Sequence, residues 1–150
     1  MQVIANNKKA FFQYFIIEKI EAGIQLYGDE VKSLRTGKVS IQEAYAETNK
    51  GELFLINADI AVYEKTFYKT KSDAKRVRKL LVRKKDIKRL QGKVEREGMT
   101  IIPLKIYFNN RGLAKIEIAI AKGKKLYDKR EDKKKKDWNI QQKRLLKNYK

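Results

Sequence analysis

Short apolar stretches of period two, turn residues between them, and one clear helical stretch before the last pair predict a mainly β chain. The class they favour is an OB-like closed antiparallel barrel with inserted and flanking helices. An open sheet of three short hairpins would leave exposed edges, and closure removes them.

The elements follow in order. Residues 11–20 are apolar on most positions of both faces, which reads as a buried strand. Glu21-Ala22-Gly23 supplies a turn and residues 24–27 a partner strand, so the chain is expected to open with a hairpin. Asp29 then caps a short helix in which Val31 and Leu34 lie three apart, with Gly37 at its end. A second hairpin joins residues 40–48 to 52–60 through Asn49-Lys50-Gly51. Residues 67–79 are basic and without period, and Leu80-Leu81-Val82 fits strand or helix equally. In 86–97, Ile87, Leu90 and Val94 share one helical face and Gly98 stops the run. Ile102, Leu104, Ile106 and Phe108 alternate strictly, Asn109-Asn110-Arg111-Gly112 turns the chain, and Ile116, Ile118 and Ile120 alternate again in a third hairpin. Pro103, the sole proline, is expected at an edge or a bulge.

Composition narrows the chemistry. The 150 residues carry 37 Lys and Arg against 18 Asp and Glu, a formal charge of +19, which is enough chain for one domain with a real core. With no cysteine and no histidine, disulfides, thiolate zinc sites, cysteine nucleophiles and His-based triads are excluded. No apolar run approaches the roughly 20 residues that span a bilayer. The first nine residues lack a signal peptide's apolar core, so the expected location is the cytoplasm. So large an excess of positive charge points to a polyanion that releases counterions on binding, with nucleic acid first. A membrane surface is disfavoured, because the charge is spread along the chain and no lipidation site is present. No broad apolar helix face or strand edge is reserved for self-association, so a monomer is expected.

Composition shifts near residue 122. Residues 1–121 read as an OB-like core that binds nucleic acid, which the resemblance given below makes an RNA-binding core, and 122–150 as a basic tail, disordered when free and folding on a partner. Nine basic residues crowd 122–136, while Trp138, Leu145 and Tyr149 form a sparse stripe that a docked helix would use. Aromatic residues among lysines, Tyr127, Trp138 and Tyr149, suit base stacking beside neutralised phosphates.

A metal-dependent nuclease on the same barrel would need carboxylates such as Asp29, Glu30, Asp59 and Glu64 with Arg35 as a phosphate clamp. Asp29 and Glu30, however, open a helix, where the dipole favours acids regardless of function. The glycines fall at turns and helix ends, and none builds a phosphate cradle. No catalytic residue, metal or cofactor is expected. A general RNA chaperone or ribosomal protein using unspecific charge contacts is the alternative among binding proteins.

One run is specific. Tyr14 to Arg35, YFIIEKIEAGIQLYGDEVKSLR, closely resembles the signature of the SmpB (small protein B) family. The likeness begins at NKKA (residues 7–10). It continues through Asn57-Ala58, Ile60 and Tyr63, through RKLLV (78–82), and through IPLKIYFNNRGLAKIEIAIAKGKKLYDKRE (102–131). The chain departs from the family's usual residues at Phe11, Phe12, Gln13, Asp29 and Asp59. The resemblance implies a non-enzymatic protein of ribosome rescue by trans-translation. Its barrel would hold the tRNA-like domain of transfer-messenger RNA and help deliver it, with elongation factor Tu, to a stalled ribosome. Its tail would enter the vacant decoding centre and mRNA path against small-subunit RNA. Carried over by position, the core RNA contacts would be Asn7, Lys8, Lys9, Gly28, Glu30, Lys32 and Arg35. Among them Glu30 would accept from base amino groups or 2′-hydroxyls. The tail contacts would be Lys124, Lys125, Tyr127, Asp128, Lys129 and Arg130.

Overall fold

A computed structural model describes residues 1–62 and 73–124. Its elements are β1 (Gln2–Asn6), α1 (Lys8–Gln13), β2 (Tyr14–Ile24), α2 (Gly28–Arg35), β3 (Val39–Ser40), β4 (Tyr45–Asn49), β5 (Glu52–Ile56), β6 (Asp59–Ile60), β7 (Arg78–Leu81), α3 (Lys84–Glu97), β8 (Thr100–Phe108) and β9 (Ala114–Gly123). The protein is mainly β. Seven strands pair antiparallel in the order β1-β8-β4-β5-β7-β2-β9, and β9 pairs again with β8. The pairing path from β8 through β4, β5, β7, β2 and β9 therefore returns to its start, with β1 added outside on β8. Leu34, Leu53, Leu55, Leu80, Leu90, Ile106, Ile116 and Ile118 fill the main core, so α2 and α3 each contribute a leucine to it.

The expected first hairpin does not form. Glu21-Ala22-Gly23 runs straight on in β2, facing Glu117, Ile116 and Lys115 of β9. The long β9 offers a partner at every step, and that ladder outweighs the local turn preference of one glycine. Residues 11–13, read as the start of a strand, wind into α1 instead. The helix lies on the outside of the sheet, where Ala10 packs with Ile102, Leu104, Ala119 and Ala121, and Tyr14 and Ile16 cover the flank. The apolar residues on both faces of 11–20 thus belong to two different cores and to side chains left in solvent.

The second hairpin forms with a shorter first arm, from Tyr45 rather than residue 40, and its turn places Lys50 and Gly51 at φ 51° and 77°. Leu80 and Leu81 prove to be strand, in β7. Helix α3 covers the predicted span and buries Ile87 and Leu90; Gly98 ends it at φ 64°, its N–H returning to the Lys93 carbonyl. The third hairpin pairs Thr100 with Ala121 through to Phe108 with Ala114. Its register shifts between Pro103 and Lys105, which is the irregularity expected of the proline. No helix among the described residues is long and apolar enough to cross a membrane.

Candidate nucleic-acid interface

The basic residues expected to meet RNA sit at two separate places. The first is α1. Asn7 precedes it and is buried: its backbone N–H donates to the Leu104 carbonyl at 2.7 Å and its Nδ2 to the Pro103 carbonyl at 2.9 Å. These two bonds pin the helix to β8, leaving Asn7 Oδ1 buried with no partner among the described residues. Lys8 and Lys9 follow, both exposed. On the same short helix Phe11 is 52% and Phe12 81% exposed. Lys19 of β2 places its Nζ 5.8 Å from the centre of the Phe11 ring. Lys124, just past β9, donates from Nζ to the Phe11 carbonyl at 3.0 Å and stands 5.1 Å from the Phe15 ring centre. The first residue expected of the tail contacts is therefore fastened to α1.

The second place is α2, where Gly28, Lys32 and Arg35 are exposed. Glu30 is not: it is 2% exposed, which corrects the expectation that it faces RNA. Its Oε1 accepts from the Tyr27 backbone N–H at 2.8 Å and from Arg76 Nη2 at 2.6 Å, and its Oε2 from Arg78 Nε at 2.7 Å. The sequence signal was sound at one level, because an acid at the third helical position closes the capping box on Tyr27. The two arginines, 46 and 48 residues away, are what draw it inside. Arg78 is itself fully buried, and its other nitrogens donate to the carbonyls of Ala58, Asp73, Ala74 and Arg76. Burial pushes the Glu30 carboxyl up, but hydrogen bonds from Arg76, Tyr27 and Arg78, with the Arg78 charge, outweigh it and hold the group below its ordinary value. Arg76 also lies 4.2 Å from the Tyr27 ring centre, so Glu30 positions one exposed aromatic ring and one partly exposed guanidinium at the mouth of α2.

These two places are not neighbours along the sheet. Helix α1 packs at the Ile102–Leu104 end of β8, whereas Val31 of α2 lines a hollow of about 280 Å³ with Phe108, Gly112 and Leu113 at the hairpin end. Ile102 and Phe108 lie six steps apart along β8, on the order of 20 Å. Between them, the outer face carries Tyr107, whose hydroxyl donates to Glu21. Burial, that bond and the charges of Glu21 and Glu117 together push the Tyr107 phenol well up. Sequence reading missed this pair, having spent Glu21 on a turn. It also missed the open groove of about 560 Å³ where Glu21 meets Glu52, Lys79, Arg83 and Lys84. Only the strand pairing creates that groove, so no local signal could have revealed it.

Of the carboxylates a nuclease would use, Glu30 is committed internally, Asp59 lies in β6 and Glu64 falls outside the described residues. No three His, Cys, Asp or Glu side chains gather into a metal-holding group among the described residues. Lys125, Tyr127, Asp128, Lys129 and Arg130, with Tyr63 and Trp138, also lie outside the described residues.

Comparison with known proteins fits these observations. The family model described as SmpB protein matches residues 4–148. The SsrA-binding protein of Nitrobacter winogradskyi is 53% identical over 146 residues, covering 97% of this chain and 92% of that protein. The SsrA-binding protein of a Bradyrhizobium species is 56% identical over 144 residues, covering 96% and 91%. A chain from the solved structure "tmRNA-SmpB: a journey to the center of the bacterial ribosome" superimposes with a TM-score of 0.68 at 50% identity, covering 83% of this chain and 85% of the other.

Proposed function

Because the chain belongs to the SmpB family, we propose that it binds the tRNA-like domain of transfer-messenger RNA and brings that RNA to stalled ribosomes in trans-translation. The observation that carries this reading is the near-full-length match to SsrA-binding proteins at more than half identity. The geometry supports it with exposed cations at both ends of one rigid sheet, Lys8 and Lys9 at α1 and Lys32 and Arg35 at α2. Two anchor points some 20 Å apart on a stiff body suit an RNA of fixed shape better than a flexible strand. The returning strand path supports reading the sheet as a closed OB-like barrel, a scaffold used for oligonucleotides.

In this reading the protein is not an enzyme and acts in the cytoplasm as a monomer, with elongation factor Tu in the delivery complex. Asn7 and Glu30 serve by holding α1 and the Tyr27–Arg76 pair in place, while Lys8, Lys9, Lys32 and Arg35 meet phosphates. The segment beginning at Lys124 and Lys125, with Tyr127, Asp128, Lys129 and Arg130, reaches small-subunit RNA in the vacant decoding centre.

Competition at physiological salt tests the proposal: the labelled tRNA-like domain is titrated against the protein with excess ordinary tRNA and random RNA present. A one-to-one complex that survives competition is the expected outcome. Loss of the complex to random RNA would leave a general RNA binder driven by charge, with its steep salt dependence, as the better description.

A further inference from the structure

We propose that Phe11 and Phe12 of α1 form a stacking platform for unpaired RNA bases, with Lys8, Lys9, Lys19 and Lys124 neutralising the adjoining phosphates. This deepens the RNA-binding reading and rests on it. Two consecutive phenylalanines on a helix of six residues would ordinarily be drawn into a core, yet these are 52% and 81% exposed while Ala10 beside them is 1% exposed. The helix is thus docked by its small residue and presents its large ones outward. Neither ring is needed to hold it, since the Asn7 bonds to Leu104 and Pro103 and the Ala10 contact do that.

The surroundings say what kind of partner fits. A protein surface that covers exposed aromatics is commonly apolar, and the rim here is cationic instead: Lys8 and Lys9 precede the rings, Lys19 stands over Phe11, and Lys124 is bonded to the Phe11 carbonyl. Aromatic faces interleaved with ammonium groups match the alternating base and phosphate of a single strand. A duplex offers no free base faces to such rings, so the platform discriminates unpaired from paired RNA where charge alone would not.

The test uses the full chain, a fluorescently labelled single-stranded RNA hexamer containing 5-iodouridine, and a duplex of the same sequence. The wild-type protein is expected to bind the single strand and to cross-link through Phe11 or Phe12. The double variant Phe11→Ala, Phe12→Ala should weaken the hexamer by roughly five-fold or more, from the loss of base–aromatic stacking. Duplex affinity, the salt slope and the melting temperature should not move. Phe12→Tyr should retain binding and Phe12→Leu should lose it, because leucine keeps the apolar area without the π face. Equal hexamer affinity in the alanine variant would overturn the proposal. So would full retention by Phe12→Leu, which marks an apolar protein partner. A drop in melting temperature would overturn it too, by showing that another part of this chain covers the rings. If the wild-type protein bound the tRNA-like domain but its aromatic variants were indistinguishable from it, only the platform would fall. Failure of the wild-type protein on every RNA would remove the RNA-binding reading itself.

Discussion

Glu30 joins the start of α2 to the strand that follows the 63–72 segment, and its worth lies in the charges it neutralises rather than in any surface it presents. Replacing it by alanine strands a fully buried Arg78 guanidinium, and breaking a buried pair in that way costs about 3–5 kcal/mol. Denaturant unfolding is expected to show that loss directly. Weaker RNA binding by the same variant would then report the fold, so it cannot serve as evidence of a Glu30–RNA contact. The acid response separates the two. The folded carboxyl sits below its ordinary value, so its stabilising contribution is complete above the unfolded value of about 4.3 and is lost as pH falls through the lowered folded one. Stability measured between pH 7 and 3 should fall on the acid side in the wild-type protein and fall less in Glu30→Gln. Parallel acid limbs would assign the response to other carboxylates. Tyr107 has the opposite sign: its phenol is raised by burial and by Glu21, so its contribution is present below the unfolded value of about 10 and lost as pH rises beyond it. Tyr107→Phe should flatten that alkaline limb.

Single residues also set the elements. Helix α3 ends because Gly98 adopts φ 64°, where a Cβ brings strain of about 1–2 kcal/mol. Nothing lies within 4 Å of the position a Gly98 Cβ would occupy, so Gly98→Ala isolates this backbone term. A melting temperature lower by several degrees is expected, and an unchanged one would mean that the helix end relaxes freely. That glycine was legible in sequence, as were the helix before it and the β8–β9 hairpin, because their signals are local. The face assignments were not. Ile102, Leu104, Ile106 and Phe108 alternate without a break in sequence, yet the first two lie under α1 and the last two in the main core. The register shift between Pro103 and Lys105 swaps the faces, and a one-residue shift is all that a period-two pattern needs to do so. A matching shift between Ile16 and Glu18 in β2 likewise sends Ile16 to the α1 side and Ile20 to the main core. Of the expected site, the lysines and arginines were legible as charges. Asn7 and Glu30 were legible as positions but not as buried, since their partners Pro103, Arg76 and Arg78 are 46 to 96 residues distant.

At the scale of the molecule, charge divides between the strand-built body and the residues after it. Residues 125–150 hold 11 Lys and Arg against 4 Asp and Glu, which leaves 1–124 with a formal charge of +12. The body alone is therefore cationic enough to bind RNA unspecifically, although its charge is spread more thinly than that of residues 125–150. Strand β9 runs to Gly123, and Lys124 is still fastened to Phe11 and set over Phe15. A cut meant to separate the two parts thus belongs after Lys124, since one after residue 121 would remove the last ladder positions opposite Tyr14 and Phe15. Truncation after Lys124 is expected to keep the one-to-one complex with the tRNA-like domain under competition, to shallow the salt dependence because fewer phosphates are neutralised, and to abolish peptide tagging on stalled ribosomes. Each reading has its own failure. Collapse of the specific complex would place shape recognition beyond Lys124 and leave the α1 and α2 cations as general contacts. Tagging that persists without residues 125–150 would show that delivery needs only the body, and the role assigned to Tyr127, Lys129 and Arg130 would fall with it.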